Sequence, residues 1–377
     1  MRTVKVSAAV VGAVVAAGAV SLAVGRYASG AALKAPAGRP LPTEPRLTVH
    51  ATQAGRITLT RDLASLRRGT YGITGHGTHA VVGPVLDSAE HTADTVVRRL
   101  ERVTHGTLTP GEAVRLTPNV HLGDPRTALG LDFADVEVPG ENGLLPAWFV
   151  PGQRDTWVIA VHGLGATREQ SLNVLRALHA LRLPVLALSY RGDAGAPAPP
   201  DGINHLGETE WRDVDAAIRW AVGHGAERVV LLGWSTGATM ALRAAQHSPL
   251  ADRVAGLILD SPVLDWESTL RALARARHLP RPLLPLAVRA AQGRAGLRPG
   301  RAAGAAGSGP PEVPAPALII HGPGDTVAPW LHSRRLADRR PDLVALHTVP
   351  GAPHAAMWNA DPEEYEERLR RFLVPLM

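Results

Sequence analysis

The sequence contains no cysteine among its 377 residues. Disulfide bonds, thiolate catalysis and cysteine-based zinc sites are therefore all excluded. This absence does not identify the compartment, because a protein outside the cytoplasm can fold without disulfides. The rest of the composition is ordinary for a globular protein, with 45% hydrophobic and 20% charged residues. A chain of this length can form one large α/β domain with a smaller unit attached.

The features of a nucleic-acid-binding protein are also missing. The net charge is only +6 and aromatic residues make up 4% of the chain. A small basic excess does not indicate nucleic-acid binding when neither interleaved aromatic residues nor a recognisable binding module accompanies it. We therefore expect no nucleic-acid partner.

The amino terminus carries a long uncharged run. Residues 6–25 consist of Ala, Val, Gly, Leu and Ser, and twenty helical residues span about 30 Å, the thickness of a bilayer core. Residues 1–26 are therefore predicted to be a signal anchor or a signal peptide. The length favours an anchor, whereas the small residues 28–30 would allow cleavage and secretion. Because long domains that follow such a segment are translocated, we expect the main domain to lie outside the cytoplasm.

Two regions precede the main domain. Residues 27–45 are rich in Ala, Gly and Pro and are interpreted as a linker. Residues 46–131 are predicted to form a small strand-rich unit, interrupted by a helix at residues 92–103. Its His76 and His79 have a spacing that could hold a metal. Since no third ligand is near in sequence, we interpret them as solvent-exposed turn histidines and expect no metal site.

The segment Gly233-Trp-Ser-Thr-Gly237 follows four apolar residues and precedes a helical run of small residues. A strand, a sharp turn and a helix in this order form the nucleophile elbow, Gly-x-Ser-x-Gly. Glycine at positions 233 and 237 permits the close approach of strand and helix. The turn would raise the hydroxyl of Ser235 above the sheet. It would also place the N–H of Thr236 at the start of a helix, where it can stabilise an oxyanion.

Residues 132–377 alternate between apolar strands and amphipathic helices. Two strands at residues 133–138 and 144–150 flank a turn and begin the domain as an antiparallel pair. Strands at residues 157–161, 185–190, 229–232, 256–259, 317–320 and 343–349 then alternate with helices. This pattern predicts an α/β fold with a doubly wound, mostly parallel sheet that carries helices on both sides. The last helix is predicted to begin after Asp361, with Pro362 in its first turn.

Residues 265–314 interrupt this alternation and are predicted to form a short helical cap inserted over the active site. From residue 268 to residue 311 the segment has no Asp or Glu. Its arginines are Arg271, Arg275, Arg277, Arg281, Arg289, Arg294, Arg298 and Arg301. A solvated basic surface accounts for such a pattern. An alternative is a surface that binds anionic lipid or an anionic substrate, which salt-dependent binding to acidic liposomes would test.

A serine nucleophile requires a base and a group that orients the base. Asp325 lies in a Gly-rich turn after the strand that ends at residue 320, where catalytic side chains of open α/β sheets occur. Asp260, at the end of the preceding strand, is an alternative acid. His354 lies in the loop before the final helix and is predicted to be the general base. The N–H of Leu164, in His162-Gly-Leu-Gly165, is predicted to be the second oxyanion donor.

The motifs His-Gly-Leu-Gly, Gly-Trp-Ser-Thr-Gly, Gly-Asp-Thr-Val and Pro-His occur in the order typical of the α/β-hydrolase superfamily, which residues 133–377 resemble. Segments 190–197, 205–213 and 259–266 resemble a group of membrane-anchored bacterial α/β hydrolases of undefined substrate. The resemblance implies that Ser235 is the nucleophile, Asp325 the acid and His354 the base. The superfamily often has a second Gly after the elbow, where this chain has Ala238.

These residues predict a serine hydrolase that cleaves a small-molecule carboxylic ester or thioester through an acyl-enzyme, without a cofactor or metal. Trp234 and the cap are expected to shape the acyl pocket. A peptidase or amidase with the same triad is an alternative, because the same groups can cleave amides. A non-catalytic binding protein on the same fold is another, since fold does not dictate function.

Overall fold

The computed structural model describes residues 44–87, 92–276, 278, 280–294 and 312–377. The membrane segment predicted at residues 6–25 lies outside the described residues, as does the predicted linker except for residues 44 and 45. Among the helices that are described, none has the length and apolar character needed to cross a bilayer. Membrane attachment therefore stays a prediction from the sequence.

The amino-terminal unit is a closed barrel of six antiparallel strands, which confirms the strand-rich character predicted for it. Around the barrel the strands follow the order β1-β2-β5-β4-β3-β6. Their bounds are β1 Leu47–Gln53, β2 Arg56–Thr60, β3 Tyr71–Thr74, β4 His79–Val85, β5 Thr95–His105 and β6 Ala113–Thr117. Closure leaves no open sheet edge in this barrel, so the unit cannot pair with other strands through an exposed edge.

The helix predicted at residues 92–103 is wrong, because the chain forms strand β5 there. This strand pairs with β2 along one side and with β4 along the other. Val96 and Val97 are buried in the barrel, and β-branched residues pack well on a pleated surface. Pairing on both sides thus decides the conformation of a segment whose local pattern is ambiguous.

Arg98 on β5 is buried in the barrel and, among the described residues, pairs with no carboxylate. Its side chain is fully inaccessible to solvent, and burial lowers its pKa to about 10. Hydrogen bonds of 2.6–2.9 Å run from its guanidinium to four backbone carbonyl oxygens, those of Ser65, Arg67, Gly69 and Gly83. The guanidinium therefore holds the loop between β2 and β3 against β4.

Replacement of Arg98 by Met is expected to lower the free energy of unfolding by about 3 kcal/mol or more, because it leaves several buried carbonyl groups without a donor. Urea unfolding measures the change. The matched control is Arg99→Met on the same strand, where the side chain is 55% exposed and the expected change is within about 0.5 kcal/mol. Equal effects at the two positions would contradict this account of Arg98.

The main domain contains an eight-stranded sheet in the order β14-β13-β12-β11-β9-β10-β8-β7. Its strands are β7 Ala134–Gly140, β8 Gly143–Val150, β9 Thr156–Val161, β10 Val185–Leu188, β11 Arg228–Trp234, β12 Val254–Asp260, β13 Ala317–His321 and β14 Val344–Thr348. The pairs β7–β8 and β8–β10 are antiparallel and all the others are parallel. Central strands such as β9 are buried along their whole length, as expected for a sheet covered on both faces.

Nine α-helices are described. They are α1 Pro125–Leu129, α2 Leu172–Ala180, α3 Trp211–Gly223, α4 Thr236–His247, α5 Trp266–Ala276, α6 Leu284–Arg294, α7 Trp330–Arg339, α8 Met357–Ala360 and α9 Pro362–Leu373. Short 3₁₀ turns occur at Arg168–Ser171, Ala251–Arg253, Arg281–Leu283 and Val374–Leu376. The Asp361 side chain caps α9 by accepting from the N–H of Glu364 at 3.1 Å, as the capping pattern predicts.

Helices cover both faces of this sheet. Residues of α3, α4 and α7 pack with one set of strand side chains, including Ile159. Residues of α2 and α9 pack with the alternate set, including Val158. Because successive side chains of a strand point to opposite faces, each strand contributes to both layers of the core.

The predicted cap forms two helices, α5 and α6, in the described part of residues 265–314. Their apolar faces share a cluster with Leu164 and with residues of the loops around the sheet edge. Four arginines of the cap are exposed, and they are Arg271, Arg275, Arg281 and Arg289. Their lipid or substrate binding stays a prediction, and Arg277, Arg298 and Arg301 lie outside the described residues.

Candidate active site

Ser235 occupies the tip of the turn between β11 and α4. Its backbone has φ 54° and ψ −118°, a region that non-glycine residues rarely adopt and that is typical of strained functional turns. A Cβ at Gly237 would lie 2.1 Å from the backbone oxygen of Val161, and one at Gly233 would lie 2.5 Å from the nitrogen of Ala238. Both glycines therefore permit backbone approaches that any side chain would prevent.

The structure brings Ser235, His354 and Asp325 together in one hydrogen-bonded chain. His354 Nε2 lies 2.7 Å from Ser235 Oγ, and its Nδ1 lies 2.6 Å from Asp325 Oδ2. The three residues come from the ends of β11, β13 and β14, which are parallel strands whose carboxyl ends meet at one edge of the sheet. An imidazole held in this way can accept a proton from the serine hydroxyl.

Asp325 accepts more hydrogen bonds than the sequence indicates. Its Oδ1 accepts from the N–H groups of Val327 and Ala328, both at 2.8 Å. Its Oδ2 is shared by His354 and by His321 Nε2 at 2.9 Å. Burial alone would raise the pKa of this carboxyl, but the two histidines outweigh burial and hold the pKa well below its usual range. Asp325 is therefore a carboxylate at neutral pH.

His321 is a residue of the site that sequence reasoning missed. It is fully buried at the end of β13, and its Nδ1 lies 2.8 Å from Ser333 Oγ on α7. Sequence analysis places it only in a turn at the end of a strand. The sequence does contain one indication of its role. His321 lies four residues before Asp325, and the Gly-Pro-Gly turn between them reverses the chain and brings the two side chains close together.

The alternative acid, Asp260, is not placed to orient His354. Its carboxylate accepts from Ser261 Oγ at 2.7 Å and from the Tyr365 hydroxyl at 3.0 Å. Ser261 Oγ in turn accepts from the backbone N–H of Ala355 at 3.0 Å. Asp260 therefore contributes to a buried network beneath the loop that carries His354. Burial raises the pKa of Asp260 to about 7.

This raised pKa predicts a pH dependence of stability. The fold favours the protonated carboxyl of Asp260, so its stabilising contribution is complete below about pH 4. As the pH rises from about 4 to about 7, the contribution is lost at up to about 1.4 kcal/mol per pH unit. Asn mimics the protonated form and cannot ionise. We therefore expect Asp260→Asn to gain stability relative to wild type between pH 5 and pH 8.

Urea unfolding at several pH values within this window measures the difference. The control is Asp252→Asn, since the side chain of Asp252 is 76% exposed. The free energy of unfolding of this control should show the same pH dependence as that of wild type across the window. If the free energy of unfolding of Asp260→Asn also followed the wild-type pH dependence, Asp260 would not titrate in this range.

The loop after β9 carries the predicted oxyanion donor, Leu164. The preceding residue, Gly163, lies against the nucleophile, since a Cβ there would be 2.9 Å from Ser235 Cβ. The N–H of Gly163 donates to Gln170 Oε1 at 3.0 Å, which holds the backbone directly before Leu164. Thr236 is the first residue of α4, so its N–H has no acceptor within the helix. The N–H groups of Leu164 and Thr236 thus belong to the two segments that adjoin Ser235.

Three further side chains hold the loop after β9, and sequence reasoning missed their contribution. The carbonyl oxygen of Gly163 accepts from His162 Nδ1 at 2.9 Å and from the Tyr190 hydroxyl at 3.3 Å. His162 Nε2 lies 2.7 Å from Asp193 Oδ2, and the His162 ring stacks on Tyr190 at 4.4 Å. This loop is therefore held from both sides of its backbone.

His79 is not a solvent-exposed turn histidine, which corrects the interpretation from sequence. It is 4% exposed on β4, and its Nε2 lies 2.9 Å from the carbonyl oxygen of Asn119. His76 is exposed. Within the described residues no three side chains are arranged to hold a metal ion.

A cavity of about 350 Å³ opens at Ser235 between the main domain and the barrel. Ser235, His354 and residues 163–167 line one side, and residues of β3, β4 and β6 line the other. Trp234 and the described cap residues do not line this cavity, so their role in shaping the acyl pocket stays a prediction. The cap instead packs behind Leu164.

A mostly parallel sheet with Ser235 at an elbow, and with His and Asp supplied by later strand-end loops, defines an α/β-hydrolase fold. The Alpha/beta hydrolase family model matches residues 158–368, and the chain therefore belongs to this family of hydrolases. A separate domain of unknown function matches residues 48–117, which correspond to the barrel.

Two known proteins illustrate the similarity. An uncharacterized protein of Mycobacterium tuberculosis is 28% identical over 247 residues, which cover 64% of this chain and 79% of that protein. The structure of the Pyrococcus furiosus esterase Pf2001 has 22% identity and a TM-score of 0.53, covering 67% of this chain and 95% of that one. The structural likeness supports the fold.

Proposed function

We propose that the protein is a serine hydrolase that cleaves a carboxylic ester or thioester through an acyl-enzyme. Ser235 attacks the substrate carbonyl while His354 accepts its proton. Asp325 fixes the imidazole tautomer and stabilises the imidazolium that forms. The N–H groups of Leu164 and Thr236 stabilise the oxyanion of the tetrahedral intermediate. His354 then returns the proton to the leaving group, and water releases the acyl group by the same steps.

One observation carries this proposal. His354 lies within 2.7 Å of both the Ser235 hydroxyl and the Asp325 carboxylate. Since Asp325 is ionised and buried, it can hold a proton on Nδ1 and leave Nε2 free to accept from serine. A non-catalytic binding protein has no need of a serine held at φ 54° beside an oriented imidazole.

A fluorophosphonate probe tests the catalytic role directly. We expect the wild-type protein to be labelled and Ser235→Ala to remain unlabelled. Absence of labelling in well-folded wild-type protein would favour the binding role instead.

A panel of activated esters with an aminoacyl-nitroanilide alongside separates an esterase from a peptidase. Turnover of the anilide at a rate comparable to that of the esters would reject the ester preference.

The proposed location rests on the sequence of residues 6–25. We propose that this segment anchors the protein in the membrane with residues 46–377 outside the cytoplasm. Detergent-dependent release of the full-length protein from the membrane fraction tests the anchor. Recovery of a shortened protein in the medium would indicate secretion after cleavage.

A further inference from the structure

We propose that the amino-terminal barrel is the acyl-binding unit of this hydrolase, and that it binds an acyl group of short to medium length that carries no carboxylate. The inference rests on the proposed function, since it assigns the substrate class of the same site. The family model covers only the main domain from residue 158. The barrel therefore adds a wall that the hydrolase domain itself does not contain.

The cavity at Ser235 is built by both units. From the barrel come the turn between β3 and β4, residues 116–119 at the end of β6, and the following Leu122. From the main domain come residues 163–167, Ser235 and the loop around His354. An acyl group bound to Ser235, with its carbonyl oxygen at Leu164, would extend into this cavity.

The barrel is held tightly against the main domain beside this cavity. Asn359 donates from Nδ2 to the carbonyl oxygens of Thr70 and Pro118, both at 2.9 Å. The N–H of Thr70 donates back to the carbonyl oxygen of Asn359 at 2.9 Å. Asn173 on α2 donates to the same Pro118 oxygen at 2.9 Å. A Cβ at Gly69 would lie 2.0 Å from the Asn359 oxygen, so the two backbones touch. The wall is therefore preformed.

The charged side chains that line the cavity, Glu44, Arg67 and Glu169, each have a hydrogen-bond partner within the protein. Glu44 and Arg67 form an ion pair at 2.5 Å. Glu169 accepts from the N–H of Gly123 at 2.8 Å. Burial lowers the pKa of His79, so this ring is uncharged at neutral pH. Among the described lining residues the one guanidinium, that of Arg67, is paired with Glu44, so an acyl group that carries a carboxylate would find no guanidinium counterion here.

Apolar groups form much of the remaining surface. The apolar and aromatic lining residues include Tyr71, Leu116, Leu122, Leu164, Ala166 and Ala356. The cavity volume of about 350 Å³ lies near the lower end of the range of roughly 300–1,000 Å³ for small-molecule sites. A short or medium acyl chain fills a cavity of this volume.

Narrowing the cavity from the barrel side tests the proposal. Thr74→Phe places a ring in the lining at β3. We expect the ratio of kcat/KM for an octanoyl ester to that for an acetyl ester to fall by about tenfold or more, because pocket contacts with single methylene groups already discriminate by that factor. p-Nitrophenyl esters of acetate, butyrate, octanoate and palmitate are suitable substrates.

Thr58→Phe is the matched control. It makes the same change on β2, which lies opposite β3 in the closed barrel, and Thr58 does not line the cavity. Its acyl-length profile should equal that of wild type. Leu122→Ala provides an independent second variant, because it widens the cavity and should raise the octanoyl-to-acetyl ratio. This variant also decides the question if Thr74→Phe does not fold.

The outcomes separate the two proposals. Wild-type protein that is neither labelled by fluorophosphonate nor active on any ester would reject the proposed function itself. Active wild type with unchanged profiles in the folded Thr74→Phe and Leu122→Ala variants would overturn the acyl-binding role of the barrel alone. Preference of wild type for the palmitoyl ester, or for an acyl group with a terminal carboxylate, would equally overturn it.

Discussion

Replacement of Ser235 by alanine is expected to lower kcat for an activated ester by about 10⁴-fold or more. The hydroxyl that His354 Nε2 contacts at 2.7 Å is removed, so no acyl-enzyme can form. Residual hydrolysis would come from the oxyanion donors and from substrate positioning alone. Steady-state kinetics with a p-nitrophenyl ester, together with the burst of the first turnover, measures the loss.

A matched control for this variant is Ser189→Ala. Ser189 is also buried, but it lies directly after β10 and does not line the cavity. Its replacement removes a hydroxyl from the same sheet edge and should leave kcat close to the wild-type value. If Ser235→Ala retained wild-type turnover, the nucleophile would have to be another residue.

Replacement of Asp325 by asparagine is expected to lower kcat by about 10³- to 10⁴-fold, because His354 would lose the acceptor that fixes its tautomer. The geometry makes this substitution more disruptive than a loss of charge. One carboxylate oxygen accepts from two histidines, and the other accepts from two backbone N–H groups. The NH₂ group of asparagine is a donor. In one orientation it would face the two histidines, and in the other it would face the two backbone N–H groups, so two donors would lose their acceptor either way.

We therefore expect Asp325→Asn also to lose stability, by about 1–3 kcal/mol for each buried donor left unsatisfied. Kinetics and urea unfolding of the same preparation measure both effects. Asp342→Asn is the control, since the side chain of Asp342 is 61% exposed and pairs with the surface residue Arg340. It should be near wild type in both measurements. Near-normal turnover of Asp325→Asn would show that His354 does not depend on Asp325.

Local sequence predicts structure best where steric limits allow only one backbone conformation. Gly233 and Gly237 flank Ser235 at backbone distances that exclude any Cβ, so these five residues, with the apolar strand before them and the small-residue helix after them, suffice to predict the elbow. The apolar runs of β9 and β11 predict buried parallel strands in the same way, because only a sheet covered on both faces tolerates them. The predicted strand order along the chain follows from this alternation.

Sequence is less informative where distant segments decide. Residues 92–103 have an ambiguous local pattern, and pairing with β2 and β4 makes them a strand. His321 and Asp260 lie at strand ends like the predicted residues, and only packing distinguishes their partners. The wall of the cavity depends on contacts between Asn359 and residues near position 70, which are far apart in the chain and which no local pattern encodes.

By itself, the sequence determined the α/β alternation, the elbow at Ser235 and the short set of residues that could serve it. These features depend on steric and periodic rules that act within a few neighbouring residues. Tertiary structure alone decided that Asp325 is shared by two histidines, that Asp260 supports the loop of His354 from below, and that the barrel faces the nucleophile. Each of these results depends on long-range packing, where groups far apart in the chain compete for the same space and the same hydrogen bonds.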